Sequence, residues 1–239
     1  MGDSDSAFYQ LITNAEELES CKNINRRITL FDVAKACNYQ STIISFRNDW
    51  VGFWPVTATI GRTADNCFYL GKRDFPGQNL SSLLLDTELP GYLRKPYKEK
   101  AVHPQRSFVV VCPFGTHQGM INPPKNFCEK YAKHSTYEKG LLFFDKQLGN
   151  IFAELKAHPE TKAILYCSDH SYFRDDDKRI VMFVYLADSL IKERPGIRVE
   201  LRKKAKEKIY ANGIYDLMLW LMNISEREKS PNNRGSTGI

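Results

Sequence analysis

The clearest hydrophobic pattern in the chain lies between Tyr137 and Ala157, where apolar side chains recur at intervals of three and four residues. This spacing predicts an amphipathic helix, because residues three and four apart share one face of a helix. The same spacing predicts a shorter helix from Thr29 to Cys37 and a closing helix from Ile214 to Met222. A leucine-rich run from Leu80 to Leu93 predicts a further helix that ends before Pro90.

Short β-branched and apolar runs between these helices predict strands. They lie at residues 41–46, 107–112, 163–167 and 180–186, and residues 58–70 predict a short helix or strand. The run at 163–167 is apolar or aromatic throughout, as expected for a strand buried on both faces. Because strands alternate with helices, the chain is predicted to be a three-layer α/β sandwich with a mostly parallel central sheet flanked by helices.

The length of 239 residues fits one large domain with a core that needs no disulfides. We expect a single domain over residues 1–224 and a disordered tail over 225–239, which is rich in Ser, Asn, Gly and charge. No apolar run approaches the roughly 20 residues of a membrane span. The first residues, Met1 to Ser6, are polar and acidic and do not resemble a signal peptide, so the chain made alone is expected in the cytoplasm.

The formal net charge of +6 comes largely from two basic clusters, at residues 94–100 and 198–208. Neither cluster alternates basic with aromatic residues, which argues against a nucleic-acid partner. The second cluster is typical of a solvated helix face, and attraction to anionic lipid headgroups is an open alternative. The six cysteines show no CxxC spacing, which excludes an ordinary zinc finger.

Two predicted strands end beside a histidine. Residues 163–167 lead into Ser168-Asp169-His170, and residues 107–112 lead into Pro113-Phe114-Gly115-Thr116-His117. Strand ends of an open α/β sheet are where such folds keep their chemistry, and Asp and His are ligands for zinc. The acidic run at residues 175–177 is a solvated loop or an additional donor set. No G-x-G-x-x-G, Walker or G-x-S-x-G motif is present, which argues against nucleotide cofactors and ordinary α/β-hydrolases.

In their order along the chain, these motifs resemble the phosphoethanolamine transferases of bacterial outer envelopes, within the sulfatase and alkaline-phosphatase-like superfamily. Ser168-Asp169-His170 matches the first three residues of the family's Ser-Asp-His-Gly-Glu pattern, and the match ends at Ser171. Gly115-Thr116-His117 stands where the family has Gly-Ser-His. Further matches are the Tyr and Asp of Tyr137 to Asp145, and Leu11 to Thr13, Leu30 to Asp32 and Ser41 to Phe46.

The resemblance implies an alkaline-phosphatase-like enzyme that moves phosphoethanolamine from phosphatidylethanolamine to lipid A or a core sugar of lipopolysaccharide. It implies zinc as the cofactor, with Asp169 and His170 as ligands and His117 in contact with the substrate phosphate or a second metal. The family's nucleophile is a zinc-bound threonine, and Ser4 is the candidate at the corresponding place. The complete family protein works at the periplasmic face of the inner membrane.

Several family features have no counterpart in this sequence. They are a glutamate ligand in a Gly-Glu motif, a later His-Gly pair and the transmembrane bundle, and residues 171–179 contain neither His nor Gly. We therefore expect a truncated or degenerate member, with zinc binding weakened or lost and little activity alone. The alternative is a non-catalytic module that retains the fold and binds an envelope glycolipid or protein. A sulfatase ranks lower, since the Cys-x-Pro-x-Arg and Ser-x-Pro-x-Arg nucleophile motifs are absent.

Overall fold

The computed structural model describes the chain at residues 3–13, 27–45, 59–70, 86–94, 106–116, 123–168 and 180–224. The helices in these ranges are α1 (Asp3–Thr13), α2 (Leu30–Ala36), α3 (Leu89–Leu93), α4 (Lys125–Lys130), α5 (Thr136–Ala157), α6 (Asp188–Glu193), α7 (Ile197–Lys204) and α8 (Ala211–Leu221). The strands are β1 (Tyr39–Ser45), β2 (Asn66–Tyr69), β3 (Arg106–Cys112), β4 (Ala163–Cys167) and β5 (Met182–Leu186). A 3-10 helix, Asp86–Glu88, leads directly into α3.

These residues form two compact units. The first comprises Met1–Ser41, Gly52–Asp65 and Pro159–Ile239, and the second comprises Thr42–Val51 and Asn66–His158. Each unit is assembled from segments that are separated in the sequence. The single domain predicted over residues 1–224 stays a prediction, and the tail at 225–239 lies outside the described residues.

The second unit contains a three-stranded sheet in the order β2-β1-β3. Strand β1 pairs with β2 in parallel, with Thr42 opposite Asn66 and Ser45 opposite Tyr69. Ile43 and Ile44 of β1 are fully buried, as a central strand requires. A parallel pair inside a sheet flanked by helices confirms the predicted α/β class.

The core of the second unit lies between this sheet and two helices. Its members are Ile44 and Leu70 from the sheet side, Leu89 and Leu93 from α3, and Ile151 from α5. On the surface the guanidinium of Arg94 donates two hydrogen bonds of 2.8 Å to the carboxylate of Glu154 on α5. This two-point contact ties the end of α3 to the last turn of the long helix.

Helix α5 confirms the helix predicted from Tyr137 to Ala157 and begins one residue earlier, at Thr136. Its start is set by a capping box. The Ser135 hydroxyl accepts from the backbone N–H of Glu138, and the Glu138 carboxylate accepts from that of Ser135. Two backbone donors that the first turn leaves without a helical partner are thereby satisfied. The apolar positions Phe143, Phe144 and Ile151 then face inward.

In the first unit, α1 packs against α8. Phe8, Tyr9 and Ile12 are buried on α1, and Ile214 and Leu217 are buried on α8, at helical spacing in both cases. Helix α8 confirms the predicted closing helix and begins three residues earlier than predicted. Helix α2 also has a capping box, in which Thr29 and Asp32 exchange hydrogen bonds.

Strand β4 corrects one prediction. Its apolar sequence predicts a strand buried on both faces in a mostly parallel sheet, but it pairs antiparallel with β5, and all five of its residues are half-buried. Tyr166 stacks on Phe183 across this pair, with ring centroids 5.0 Å apart. A short apolar run does not reveal the direction of its partner, and a two-stranded ladder leaves side chains on both faces open to water.

Pro90 also lies differently from the prediction. The helix was expected to end before this proline, whereas α3 runs from Leu89 to Leu93 and Pro90 lies in its first turn. A first-turn N–H has no helical acceptor, so proline removes nothing there and its fixed φ suits the helix. Residues 80–85 lie outside the described residues. None of the helices in the described ranges is long and apolar enough to cross a membrane.

Candidate functional site

The end of β3 is the best-defined part of the candidate site. After Cys112 the chain makes a turn in which Gly115 has a φ of +69°. Only glycine adopts this left-handed conformation without strain, since it has no Cβ to approach the backbone. The turn leads to His117, which lies outside the described residues.

A buried carboxylate holds this turn in place. Asp86 is 0% exposed, its Oδ1 accepts from the N–H of Phe114 at 2.7 Å, and its Oδ2 accepts from the N–H of Gly115 at 2.8 Å. Charge-assisted hydrogen bonds of this kind are short and strong, and here they offset the free-energy cost of burying the Asp86 carboxylate. The turn that precedes His117 is therefore fixed by a residue 28 positions earlier in the sequence.

Asp86 is a residue that the sequence prediction missed. The available signal is its position directly after Leu83-Leu84-Leu85, because an aspartate inside an apolar run needs a strong partner if it is buried. The sequence contains no indication of which distant N–H groups supply that partner.

The end of β4 is built differently. The ladder with β5 continues to Ser168, whose N–H donates to the carbonyl of Val181 at 3.0 Å. Ser168 and Val181 thus bring the two ends of the intervening segment together. Asp169 and His170 follow Ser168 directly and lie outside the described residues, as does the acidic run at 175–177.

The candidate nucleophile Ser4 lies in the first turn of α1, and its side chain is outside the described part of the structure. The first turn of a helix is a favourable place for groups that approach a phosphate, since its free N–H groups and the helix dipole attract anions. Helix α1 and β4 belong to the first unit and β3 belongs to the second. The convergence of Ser4, His117, Asp169 and His170 therefore stays a prediction.

A separate polar cluster lies at the start of β1. The Asp65 carboxylate accepts from the backbone N–H of Ser41 at 2.9 Å and from its hydroxyl at 2.8 Å, and Lys35 lies 3.2 Å away. Burial raises the pKa of Asp65, but the hydrogen bonds from Ser41 and Lys35 outweigh it, so the pKa lies below its ordinary value. Because these partners occupy the carboxylate, we assign the cluster a structural role.

Among the residues that the structure describes, no group of three or more His, Cys, Asp or Glu side chains is placed to hold a metal ion. The predicted donors, Asp169 and His170, provide one oxygen and one nitrogen ligand, which is chemistry that zinc accepts. Their number is short of the three or four protein ligands that zinc sites use.

The fold defined by these elements is the α/β fold of the alkaline phosphatase superfamily. It is similar to the C-terminal periplasmic domain of EcEptC from Escherichia coli, crystallised in complex with Zn, with a TM-score of 0.58 and 13% identity. It is also similar to an alkaline phosphatase superfamily protein from Vibrio parahaemolyticus (TM-score 0.55, 15% identity) and to the lipoteichoic acid synthase LtaP from Listeria monocytogenes (TM-score 0.50, 14% identity).

These matches cover 79%, 76% and 73% of this chain, which in turn spans 60%, 48% and 45% of the respective structures. No protein-family model matches the chain, and no curated protein matches it significantly. At identities of 13–15% the likeness shows the fold. It confirms the alkaline-phosphatase-like α/β fold that the sequence predicts.

Proposed function

We propose that this chain is a phosphoryl-group transferase domain that takes phosphoethanolamine from phosphatidylethanolamine and passes it to lipid A or a core sugar. The observation that carries the proposal is the fold shared with the EcEptC domain in complex with Zn. The second support is local: β4 ends at Cys167, two residues before Asp169, and the family pattern that Ser168-Asp169-His170 resembles also follows a strand.

In this proposal each residue has a distinct role. The Ser4 hydroxyl attacks the phosphorus, the Ser4 O–P bond forms, and the bond from phosphorus to the glycerol oxygen breaks, so that diacylglycerol leaves with a proton. Asp169 and His170 would hold zinc, which when bound offsets negative charge on the phosphoryl oxygens. His117 contacts a phosphate oxygen, and Asp86 fixes the turn that leads to it.

The first test measures zinc. The wild-type chain is titrated against a chromophoric chelator beside Asp169→Ala, with Asp188→Ala as the control, since Asp188 is an exposed carboxylate on α6. We expect Asp169→Ala to lose roughly tenfold or more in affinity and the control to match the wild type. Equal zinc binding by the wild type and Asp169→Ala would refute the metal assignment.

The second test measures transfer. Fluorescent phosphatidylethanolamine in detergent is incubated with the chain and lipid A, and diacylglycerol release is compared among the wild type, Ser4→Ala, Ser4→Thr and the control Ser6→Ala. We expect release to be lost in Ser4→Ala alone and retained in Ser4→Thr, because threonine supplies the same hydroxyl. If neither the wild type nor any variant releases diacylglycerol in the presence of zinc, the transferase proposal fails.

A further inference from the structure

Helix α7 presents an unusual outer surface. Its inner face is anchored by Ile197, which is 1% exposed, and Leu201 and Lys204 on that side are half-buried. The opposite face is defined here as the α7 surface and consists of exposed side chains at helical spacing. They are Arg198, Val199, Arg202, Lys203 and Lys206, the last of which lies in the turn that continues the helix.

This surface concentrates positive charge. Residues 197–210 contain six basic and two acidic side chains, a net +4 in a chain whose total is +6. Of the two acidic residues, Glu200 lies on a flank of α7 beside the basic face, and Glu207 follows the helix, which ends at Lys204. The charge is therefore segregated rather than mixed.

Three of the cations are available to a partner. Arg202, Lys203 and Lys206 form no ion pair with any residue in the described ranges. Arg198 lies 3.6 Å from Asp188, but both side chains are largely exposed and such pairs are weak. Lys204 and Lys208 form cation–π contacts instead, since their ammonium groups lie over the rings of Trp220 and Tyr210, respectively.

Exposed apolar groups accompany the charge. Val199 is 58% exposed and lies between the basic residues of the α7 surface, and Tyr210 is 64% exposed at the end of the segment. A solvated helix face tolerates a single exposed valine but makes no contact with it. A membrane interface does, because cations contact headgroups while a short apolar side chain enters the boundary with the acyl chains.

We propose that the α7 surface docks this protein on anionic phospholipid headgroups. The charge complementarity favours an anionic partner, and Val199 favours a bilayer over a soluble polyanion. Single-stranded nucleic acid binds to aromatic platforms interleaved with cations, whereas the ring of Tyr210 is already covered by Lys208. The proposal does not rest on the transferase function.

The test measures how the full chain partitions into vesicles of phosphatidylcholine with phosphatidylglycerol, and into phosphatidylcholine alone, by cosedimentation at about 0.15 M salt. Each cation near an anionic surface contributes roughly fivefold to partitioning. The variant with Arg202→Gln, Lys203→Gln and Lys206→Gln should therefore lose on the order of a hundredfold on the anionic vesicles. Wild-type binding to anionic and neutral vesicles alike would overturn the proposal.

A matched control removes the same charge elsewhere. Lys125, Lys130 and Lys133 are exposed lysines of the second unit, and their triple Gln variant has the same net charge as the α7 variant. We expect it to bind anionic vesicles nearly as well as the wild type. If it binds as weakly as the α7 variant, net charge and not this surface governs binding, and the proposal fails. Far-ultraviolet circular dichroism checks that all variants are folded.

The last arm separates a bilayer from any other polyanion. Val199→Ser should weaken binding to anionic vesicles by up to about tenfold, since the apolar contact is lost. It should leave binding to heparin or a single-stranded oligonucleotide unchanged, because those partners read charge. If Val199→Ser binds vesicles as the wild type does, the surface is a general polyanion site and the assignment to a lipid surface is wrong.

Discussion

The ends of β3 and β4 have similar sequences but different structures. Each is an apolar run that leads within a few residues to a histidine. The turn after β3 is held by the fully buried carboxylate of Asp86, whereas β4 ends in a half-buried antiparallel pair whose outermost bond joins Ser168 to Val181. The same sequence signature thus accompanies one rigidly supported end and one lightly supported end.

The difference has a functional reading. Under the proposed function His117 would contact a phosphate oxygen and would need a fixed backbone, and Asp86 fixes the turn that precedes it. Metal ligands can be ordered by the metal itself, so under the proposed function Asp169 and His170 would need less support from the protein before zinc binds. The comparison therefore predicts unequal sensitivity of the two ends to mutation.

The largest expected effect is at Asp86. Asp86→Ala removes the acceptor of the N–H groups of Phe114, which is buried, and Gly115, which is half-buried, and we expect the free energy of unfolding to fall by about 3–5 kcal/mol. Urea unfolding measures it, with Asp188→Ala as the control because that carboxylate is exposed. If Asp86→Ala is too unstable to purify, Asp86→Asn, which keeps one acceptor, should show a smaller loss. A loss under about 1 kcal/mol in Asp86→Ala would remove the contrast between the two ends.

A smaller effect is expected at the β4 end. Phe183→Ala removes the ring that stacks on Tyr166, but Phe183 is 40% exposed, so we expect a loss of about 1–2 kcal/mol. The matched control is Val181→Ala, two residues before Phe183. Val181 is exposed, so this substitution should be near neutral. A cost for Phe183→Ala as large as that of Asp86→Ala would show that both ends are equally well supported.

Much of the fold could be predicted from the sequence, because periodicity reports which face of a local element is buried. Helix α5 and strand β3 were predicted to within a residue for this reason. The contact between Asp86 and Phe114 spans 28 positions, and no local period records it. The antiparallel partner of β4 was missed because five apolar residues look alike in parallel and antiparallel pairs.

The candidate site was less predictable than the fold. Asp169, His170, His117 and Ser4 were assigned by resemblance, and their mutual geometry stays a prediction. The structure contributes the backbone that precedes them, at Ser168 and Gly115. Motif order predicts ancestry because it follows the chain, but ligand geometry depends on segments that meet only after folding.

A third prediction concerns the turn itself. Gly115→Ala places a Cβ at a φ of +69°. The new Cβ lies 4.0 Å from the Cζ of Phe144, which is ordinary contact, so the cost is backbone strain without a clash. We expect a loss of about 1–2 kcal/mol. The control Gly149→Ala lies inside α5 with open space around the new Cβ and should gain up to about 1 kcal/mol. If both substitutions raised, or both lowered, the free energy of unfolding, the assigned conformation of Gly115 would be contradicted.

The smallest expected effect comes from pH. The hydrogen bonds from Arg94 hold the pKa of Glu154 below its ordinary value of 4.5, so the unfolded chain binds this proton at a higher pH than the folded one. The stabilisation is therefore fully present above the ordinary glutamate pKa and is lost as the pH falls through the lowered value. Because the Arg94–Glu154 contact anchors α3, which follows the 3-10 helix that begins at Asp86, acidification should lower the protection of the Phe114 and Gly115 amides from hydrogen exchange, relative to their intrinsic rates at each pH, more than it lowers protection in β4. Glu154→Gln should flatten this pH dependence at the β3 end, whereas unchanged dependence would show that the anchor and the Asp86 contact are independent.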